Sequence, residues 1–520
     1  MKTAIIDDFL RFYGEKRGLK IYKSSTAKFR NSIFLLIREN LERKLVIFHS
    51  ASKAIDDMIN RFQASETGEF LIDGKTRIGY KICPCNPHNA VLMREVFTFT
   101  RPKLVGLAPA IGTGDRIGLA TPGHIRALKS FCIFPVFAQQ SVREMDRTSR
   151  KPEEVLDDVT WAVFQEGYRG GFGADADHVK ILSDLDAAAK AGFKMYTIDP
   201  SDYVNNRADT YNLSVLRLEF EKLPWKEMGC EKEAFLKAYL GKEFCITVSG
   251  EEKTFKFSEE SLLRAAVKYS AAILHMARMH RHLKKIFGRR KFDVELSIDE
   301  TETQTSHLEH YFIISELKRL GIRITSLALR FVGRFEKAID YIGDLKEFEE
   351  SFKLHVSIAR AYGLYKLSIH SGSDKFAIYP ILGKYASDIV HLKTAGTSYL
   401  EALRVVARND PSLFREIVDY SLKVFDRDRK SYHMSTDLSS IPESSRVPDE
   451  DLEKVFLGEN NARQLLHITY GSILTAKNDG EWLFRDRIMK VLIENEEEHY
   501  ETVARHIKRH VEMLWDQTKC

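Results

Sequence analysis

From residue 104 onward the chain repeats one rhythm. A short apolar or alternating run is followed by a polar loop and then by a longer stretch with apolar residues at helical spacing. The runs at 104–109, 131–138, 170–175, 193–198, 294–298, 322–329, 365–370 and 388–392 read as strands. Helix signals follow most of them. Thr121-Pro122 places a cap and a first-turn proline, and the helices predicted at 178–191, 307–320 and 344–362 close at Gly192, Gly321 and Gly363. About eight strand–helix units in roughly 300 residues predict a (β/α)8 TIM-type barrel rather than a doubly wound open sheet. Gly112, Gly114 and Gly118 miss the spacing of a dinucleotide-binding turn.

The clearest alternation is Y-K-L-S-I-H-S-G-S-D-K-F at 365–376. Leu367 and Ile369 fall on one face, Lys366, Ser368 and His370 on the other, and Ser-Gly-Ser-Asp ends the run. Such a strand delivers a histidine to a loop at the barrel's C-terminal mouth, where barrel enzymes keep their chemistry.

Three regions depart from the rhythm. Residues 1–100 form an N-terminal α/β extension, with a strand at 44–49, a helix at 51–62 and a hairpin at 70–83 turning on Asp73-Gly74. Residues 201–260 interrupt the barrel (101–400) with charged helical segments and a hairpin at 244–257, an insertion long enough to be a lid. Residues 401–520 form a C-terminal helical region packed on the barrel, in which Tyr500, Val503, Ile507, Val511 and Leu514 share one helix face.

Composition narrows the function. A chain of 520 residues that is 44% hydrophobic, with 32 Phe and 20 Tyr, buries a large core and is not disordered. Net charge is +5, acids and bases are interspersed, and Arg-Arg-Lys at 289–291 is short, so no nucleic-acid partner is expected. No apolar run approaches the ~18 residues of a membrane span. The opening M-K-T-A-I-I-D-D-F-L carries acids where a signal core would be apolar. A cytoplasmic location is expected, and a homo-oligomer is compatible with it. The six cysteines, without a C-x-x-C pair, are expected to be free thiols.

In a barrel, polar residues beyond the strand ends converge. Here these are Gln139, Gln140, Asp177, His178, Asp199, Asp299, Glu300, Glu302, Arg330, His370 and Lys393. Two histidines and a carboxylate from distant strands suit a divalent metal, with His178 and His370 as ligands and Glu302 or Glu300 as the acid. Asp177 could instead cap the helix that follows it, and His178 could be an exposed first-turn residue. Gly372-Ser373 and Gly396-Thr397-Ser398 suit an anion-binding corner beside Lys393, or ordinary loop glycines and caps. His307, His310 and His355 read as structural or surface residues, and His275, His280 and His282 as solvated ones.

The runs F-P-V-F-A-Q-Q-S-V-R-E-M-D-R (134–147), G-G-F-G-A-D-A-D-H-V-K (170–180), E-L-S-I-D-E-T-E (295–302), L-S-I-H-S-G-S-D-K-F-A-I-Y (367–379) and H-L-K-T-A-G-T-S (391–398) resemble the tagaturonate epimerase family. The resemblance spans about 104–480. It implies a bacterial enzyme of hexuronate catabolism with a TIM-type barrel and a divalent cation (Zn, Mn, Ni or Co), interconverting D-tagaturonate and D-fructuronate by inversion at C4. On that reading His178, Glu302 and His370 hold the metal. Asp177 and Glu300 do acid–base work, while Gln139, Gln140, Arg330, Ser371, Lys393 and Thr397 bind the sugar acid. Retro-aldol cleavage between C3 and C4 suits these residues better than oxidation at C4, which needs a nicotinamide. A metal-dependent aldolase and a non-catalytic sugar-acid-binding regulator are the rival readings.

Overall fold

The computed structural model describes residues 2–14, 19–51, 56–432 and 434–515. Five antiparallel strands come first: β1 (Leu19–Phe29), β2 (Ser32–Glu39), β3 (Glu42–Ser50), β4 (Glu66–Ile72) and β5 (Thr76–Pro84), in the order β1-β2-β3-β5-β4. Asp73 (φ 49°) and Gly74 (φ 66°) turn β4 into β5, as the Asp-Gly pair predicts. β1 and β2 were not expected; in β1 polar residues interrupt the alternation of L-K-I-Y-K-S-S-T-A-K-F. The helix expected at 51–62 is short, Asp57–Asn60, and 52–55 lie outside the described residues. Phe34 of this sheet and Phe97 just after it pack with Trp161 and Phe164 of the barrel helix Pro152–Gln165.

The barrel strands are β6 (Ala110–Gly112), β7 (Phe134–Ser141), β8 (Gly173–Val179) and β9 (Met195–Ile198). After the hairpin β10 (Glu243–Val248) and β11 (Glu251–Lys256) come β12 (Asp293–Ser297), β13 (Ser326–Ala328), β14 (Lys366–Ile369) and β15 (Val390–Lys393). All eight pair in parallel and close, β15 onto β6 and β9 onto β12. β6 lies beyond the run at 104–109 where it was expected. That run crosses the floor of the barrel, where the Val105 and Gly106 N–H groups donate to the Asp293 carboxylate at 2.6 and 3.1 Å.

The alternation in β14 points opposite to that of an ordinary barrel, whose interior is filled by branched apolar side chains. Leu367 and Ile369 face outward into the core shared with Phe312, Phe348 and Phe352 of the surrounding helices. Ser326, His370, His391 and Lys393 converge inside on Glu295. The hydrophobic layer thus lies between sheet and helices, and the barrel lumen is polar.

The final helix, Glu496–Trp515, belongs to the barrel. Val503, Ile507, Val511 and Leu514 join the barrel core, whereas Leu400, Leu403 and Val406 of the helix after β15 (Thr397–Asn409) join a separate core with Phe414, Ile417 and Phe456. The final helix fills the outer ring between helices Thr121–Leu128 and Tyr379–Ala386. Its approach is close: a Cβ on Gly123 would meet Tyr500 O at 2.8 Å, and one on Gly383 would meet Leu514 O at 2.5 Å.

The hairpin of the 201–260 insertion is not a lid. Phe244 stacks on Tyr311 with centroids 3.8 Å apart, and Ile246 and Val248 pack on Ile358, so it leans on the outside of the helical ring. Among the described residues no helix is long and apolar enough to cross a membrane. Cys83, Cys85, Cys230 and Cys245 are free thiols as expected, but Cys132 is disulfide-bonded. His275 and His280 are buried rather than solvated.

Candidate active site at the barrel mouth

The lumen is organised around one ammonium group. Lys393 Nζ lies 2.9 Å from Asp175, 2.7 Å from Asp177 and 2.8 Å from Glu295, and donates to Thr197 Oγ1 at 2.7 Å. Burial alone would lower the lysine's pKa, but the three carboxylates hold it well above the ordinary value. One cation cannot satisfy three anions equally. Burial and the neighbouring carboxylates push Asp175 up to about 6, while Asp177 and Glu295, against the burial that would raise them, are held well below the usual range.

β8 does not stop at Asp175, where the sequence run ended; it continues to Val179, and the next helix begins at Leu182. Asp177 is therefore a strand residue and not a helix cap. His178 takes φ 54°, and the register to β9 slips between Ala176 and Val179. This left-handed residue is rare for a non-glycine and costs of order 1–3 kcal/mol. It lets two consecutive side chains, Asp177 and His178, serve one site.

Each histidine is fixed by a carboxylate behind it. His178 Nδ1 donates to Asp177 at 3.0 Å and His370 Nε2 donates to Glu295 at 2.7 Å. The other nitrogens, His178 Nε2 and His370 Nδ1, stand 4.0 and 3.0 Å from the same oxygen of Asp299. His370 Nδ1 is buried and finds no hydrogen bond there. The rings are 4.8 Å apart, and Ser297 donates to Asp299 at 2.6 Å. Against burial, Asp177 and Asp299 raise His178 to about 10, and Asp299 raises His370. Two imidazoles and a carboxylate offering ligand atoms to one point, one of them an orphaned buried nitrogen, fit a divalent cation, and carboxylates behind the rings are the usual support for such a site.

The carboxylate of this cluster is Asp299, not Glu302. Glu302 is exposed, its backbone N–H tied to Asn206 at 3.2 Å. Period two places Glu295, Ser297 and Asp299 on one face and Glu302 off it. Glu300 lies at the rim, paired with Arg143 at 3.1 and 3.2 Å; burial raises its pKa, but His178 and Arg143 leave it below the usual value.

Gln139 donates to Asp177 at 3.2 Å and keeps a buried Oε1 without a partner. Both amide atoms of Gln140 are also buried and unpartnered, whereas Asp199 Oδ2 is paired with Lys180 Nζ at 3.7 Å. These orphaned groups mark where a polar ligand fits. Lys393 faces the lumen and is saturated, so it is not free to take a substrate carboxylate. Arg330 stands just past β13 with its N–H on Thr305 Oγ1 at 3.2 Å. Ser371 (φ 49°) accepts from Lys337 at 2.7 Å.

The two glycine loops pack closely against their surroundings. Gly372 N–H donates to Lys393 O at 3.0 Å, and a Cβ on Gly396 would meet Arg116 at 2.5 Å. Thr397 bonds Ser373 at 2.6 Å and His506 at 3.0 Å. Asp374, His506 and His510 also converge, but His510 Nε2 already accepts the Asp374 N–H at 3.0 Å, and the group clasps the β14 loop to the final helix. His307, His310 and His355 pack together as structural residues between helices.

Comparison with known proteins identifies the family. A family profile described as tagaturonate epimerase matches residues 22–514. A tagaturonate/fructuronate epimerase from Thermotoga maritima is 45% identical over 498 residues, covering 96% of this chain and 97% of that protein. The native crystal structure of fructuronate-tagaturonate epimerase UxaE from Cohnella laeviribosi matches with TM-score 0.88 and 36% identity over 99% of both chains, and a glycerol complex with TM-score 0.88 and 35% identity. With a match that covers barrel, extension and C-terminal helices alike, the chain belongs to the tagaturonate epimerase family.

Proposed function

We propose that the chain interconverts D-tagaturonate and D-fructuronate by inverting C4, with a divalent cation held by His178, His370 and Asp299. The observation that carries this reading is the shared Asp299 oxygen faced by two imidazole nitrogens whose far sides are fixed by Asp177 and Glu295. A cation bound there supplies Lewis-acid polarisation of the substrate's keto group.

C4 is two bonds from the C2 ketone, so enolisation alone does not reach it. Retro-aldol cleavage does. Removing the C4 hydroxyl proton breaks the C3–C4 bond, leaving an enediolate on C1–C3 and an aldehyde at C4. Rotation of the aldehyde and re-addition of C3 to its other face return the proton and invert C4. Glu300, kept ionised beside Arg143, exchanges that proton on one side. Asp199, buried with its Oδ2 3.7 Å from Lys180 Nζ, serves the other side. Asp177 accepts from His178, Lys393 and Gln139, so its part is to orient them. Gln139 and Gln140 offer their free amide atoms to sugar hydroxyls. Incubation with tagaturonate across Zn, Mn, Ni and Co, followed by NMR, tests the reading. Fructuronate without free fragments supports it; accumulating dihydroxyacetone and tartronate semialdehyde make the protein an aldolase, and binding without turnover makes it a regulator.

A further inference from the structure

We infer that Lys337 binds the substrate's carboxylate and sets the preference for a sugar acid over a neutral sugar; the inference rests on the epimerase reading above. Other cations near the mouth are already committed. Lys393 has three carboxylates, Arg143 has Glu300, Lys180 has Asp202, Arg116 has Glu144 and Arg463 has Asp374. Lys337 donates to a neutral group, Ser371 Oγ at 2.7 Å, and among the described residues it forms no ion pair with a carboxylate. An ammonium has three hydrogens, so two remain for a ligand.

Position and rigidity both suit the role. Ser371 directly follows His370, and consecutive Cα atoms are about 3.8 Å apart. The ammonium is therefore bonded to the residue that immediately follows the candidate ligand His370. The segment that carries Lys337 is held by four successive carbonyls. Lys375 Nζ donates to Glu336 O at 2.8 Å and to Ile339 O at 2.5 Å, Gln464 to Lys337 O at 3.4 Å and Arg463 to Ala338 O at 3.0 Å. Ser435 and Gln464 also fix the Glu336 carboxylate at 2.9 Å each. A loop ordered in this way presents its lysine without an ordering cost on binding. Arg330, the cation that sequence position favoured, has no comparable tie to the cluster.

The test compares full-length wild type, K337M and K337R, metal-loaded, by turnover of tagaturonate and by calorimetric binding of tagaturonate and of the neutral analogue D-tagatose. Loss of one charge-assisted contact should raise KM for tagaturonate by roughly 10- to 150-fold in K337M, with kcat changed less than about fivefold. K337R should recover most of the loss, and the ratio of tagaturonate to tagatose affinity should fall by the same factor. A KM in K337M within about threefold of wild type, or an equal loss of tagatose binding, overturns the assignment. Should wild type bind tagaturonate without turning it over, the epimerase reading fails, while the affinity ratio still decides the role of Lys337.

Discussion

His370 donates its Nε2 hydrogen to Glu295 across 2.7 Å, and that bond decides which ring nitrogen faces Asp299. The same oxygen of Glu295 lies 2.8 Å from Lys393 Nζ, so the orientation of the imidazole is tied to the charge balance of the lumen. Glu295→Gln keeps the side chain's shape but removes the anion that fixes the tautomer. Affinity for the divalent cation should fall about 10- to 100-fold, with activity falling alongside, as measured by calorimetric metal titration and by turnover at saturating metal.

Asp299 and Glu302 make a sharper contrast because they are three residues apart. Asp299 shares its oxygen with both imidazoles, whereas Glu302 is exposed and outside the cluster. Asp299→Asn should lower bound metal to a small fraction of wild type, and Glu302→Gln should retain it, as read by elemental analysis after dialysis. Equal metal loss in both variants would return Glu302 to the ligand set.

Much of this was legible in the chain because hydrophobic spacing fixes topology. Seven of the eight strand runs overlap a barrel strand, the first barrel strand lies just beyond the run at 104–109, and the histidine at the end of the 365–370 run does reach the mouth. The lumen was harder to read. Lys366, Ser368 and His370 were read as one polar face, but alternation alone does not say what a polar stripe meets; here His370 meets Glu295 and Lys366 lies near Glu295 and Lys393 inside a closed barrel. His178 was named as a ligand, but its place inside the strand was missed, because its left-handed φ breaks the period on which sequence reasoning depends. The β14 loop's partners, His506 and His510, lie over 130 residues away on a helix whose apolar face was visible but whose docking place was not.

Lys393 was a candidate for the sugar's carboxylate, but its contacts assign it to the fold. Replacing it with Met leaves Asp175, Asp177 and Glu295 buried without their shared cation. Removing one partner of a buried ion pair costs about 3–5 kcal/mol, so Lys393→Met should lower the urea midpoint strongly. Adding Asp175→Asn, which removes the carboxylate already pushed up to about 6, should recover part of that loss. A variant that folds with unchanged stability and only a raised KM would restore the binding role.

The buried histidines give the protein an acid limit. His310 and His355 share a contact of 2.9 Å between their Nδ1 atoms, and His310 Nε2 lies 2.7 Å from Tyr365 Oη. Burial, with His307 nearby, pushes His310 down to about 3, and burial with His310 holds His355 well below the ordinary value. In the unfolded chain both titrate near 6.5. Their neutral form therefore stabilises the fold fully above about pH 6.5, and the contribution is lost as pH falls from there toward 3, because only the unfolded chain takes up the protons. Each group adds a slope of about 1.4 kcal/mol per pH unit well below 6.5, so the pair adds ~2.7. Urea unfolding between pH 7.5 and 5 should show stability falling with acid, and the double variant His310→Phe/His355→Leu should be less stable at pH 7.5, where the Tyr365 hydroxyl loses its partner, yet fall less steeply by about that slope. An acid limb equally steep in both proteins would mean that other buried histidines, such as His391 at about 4 and His510 at about 3, set the limit instead.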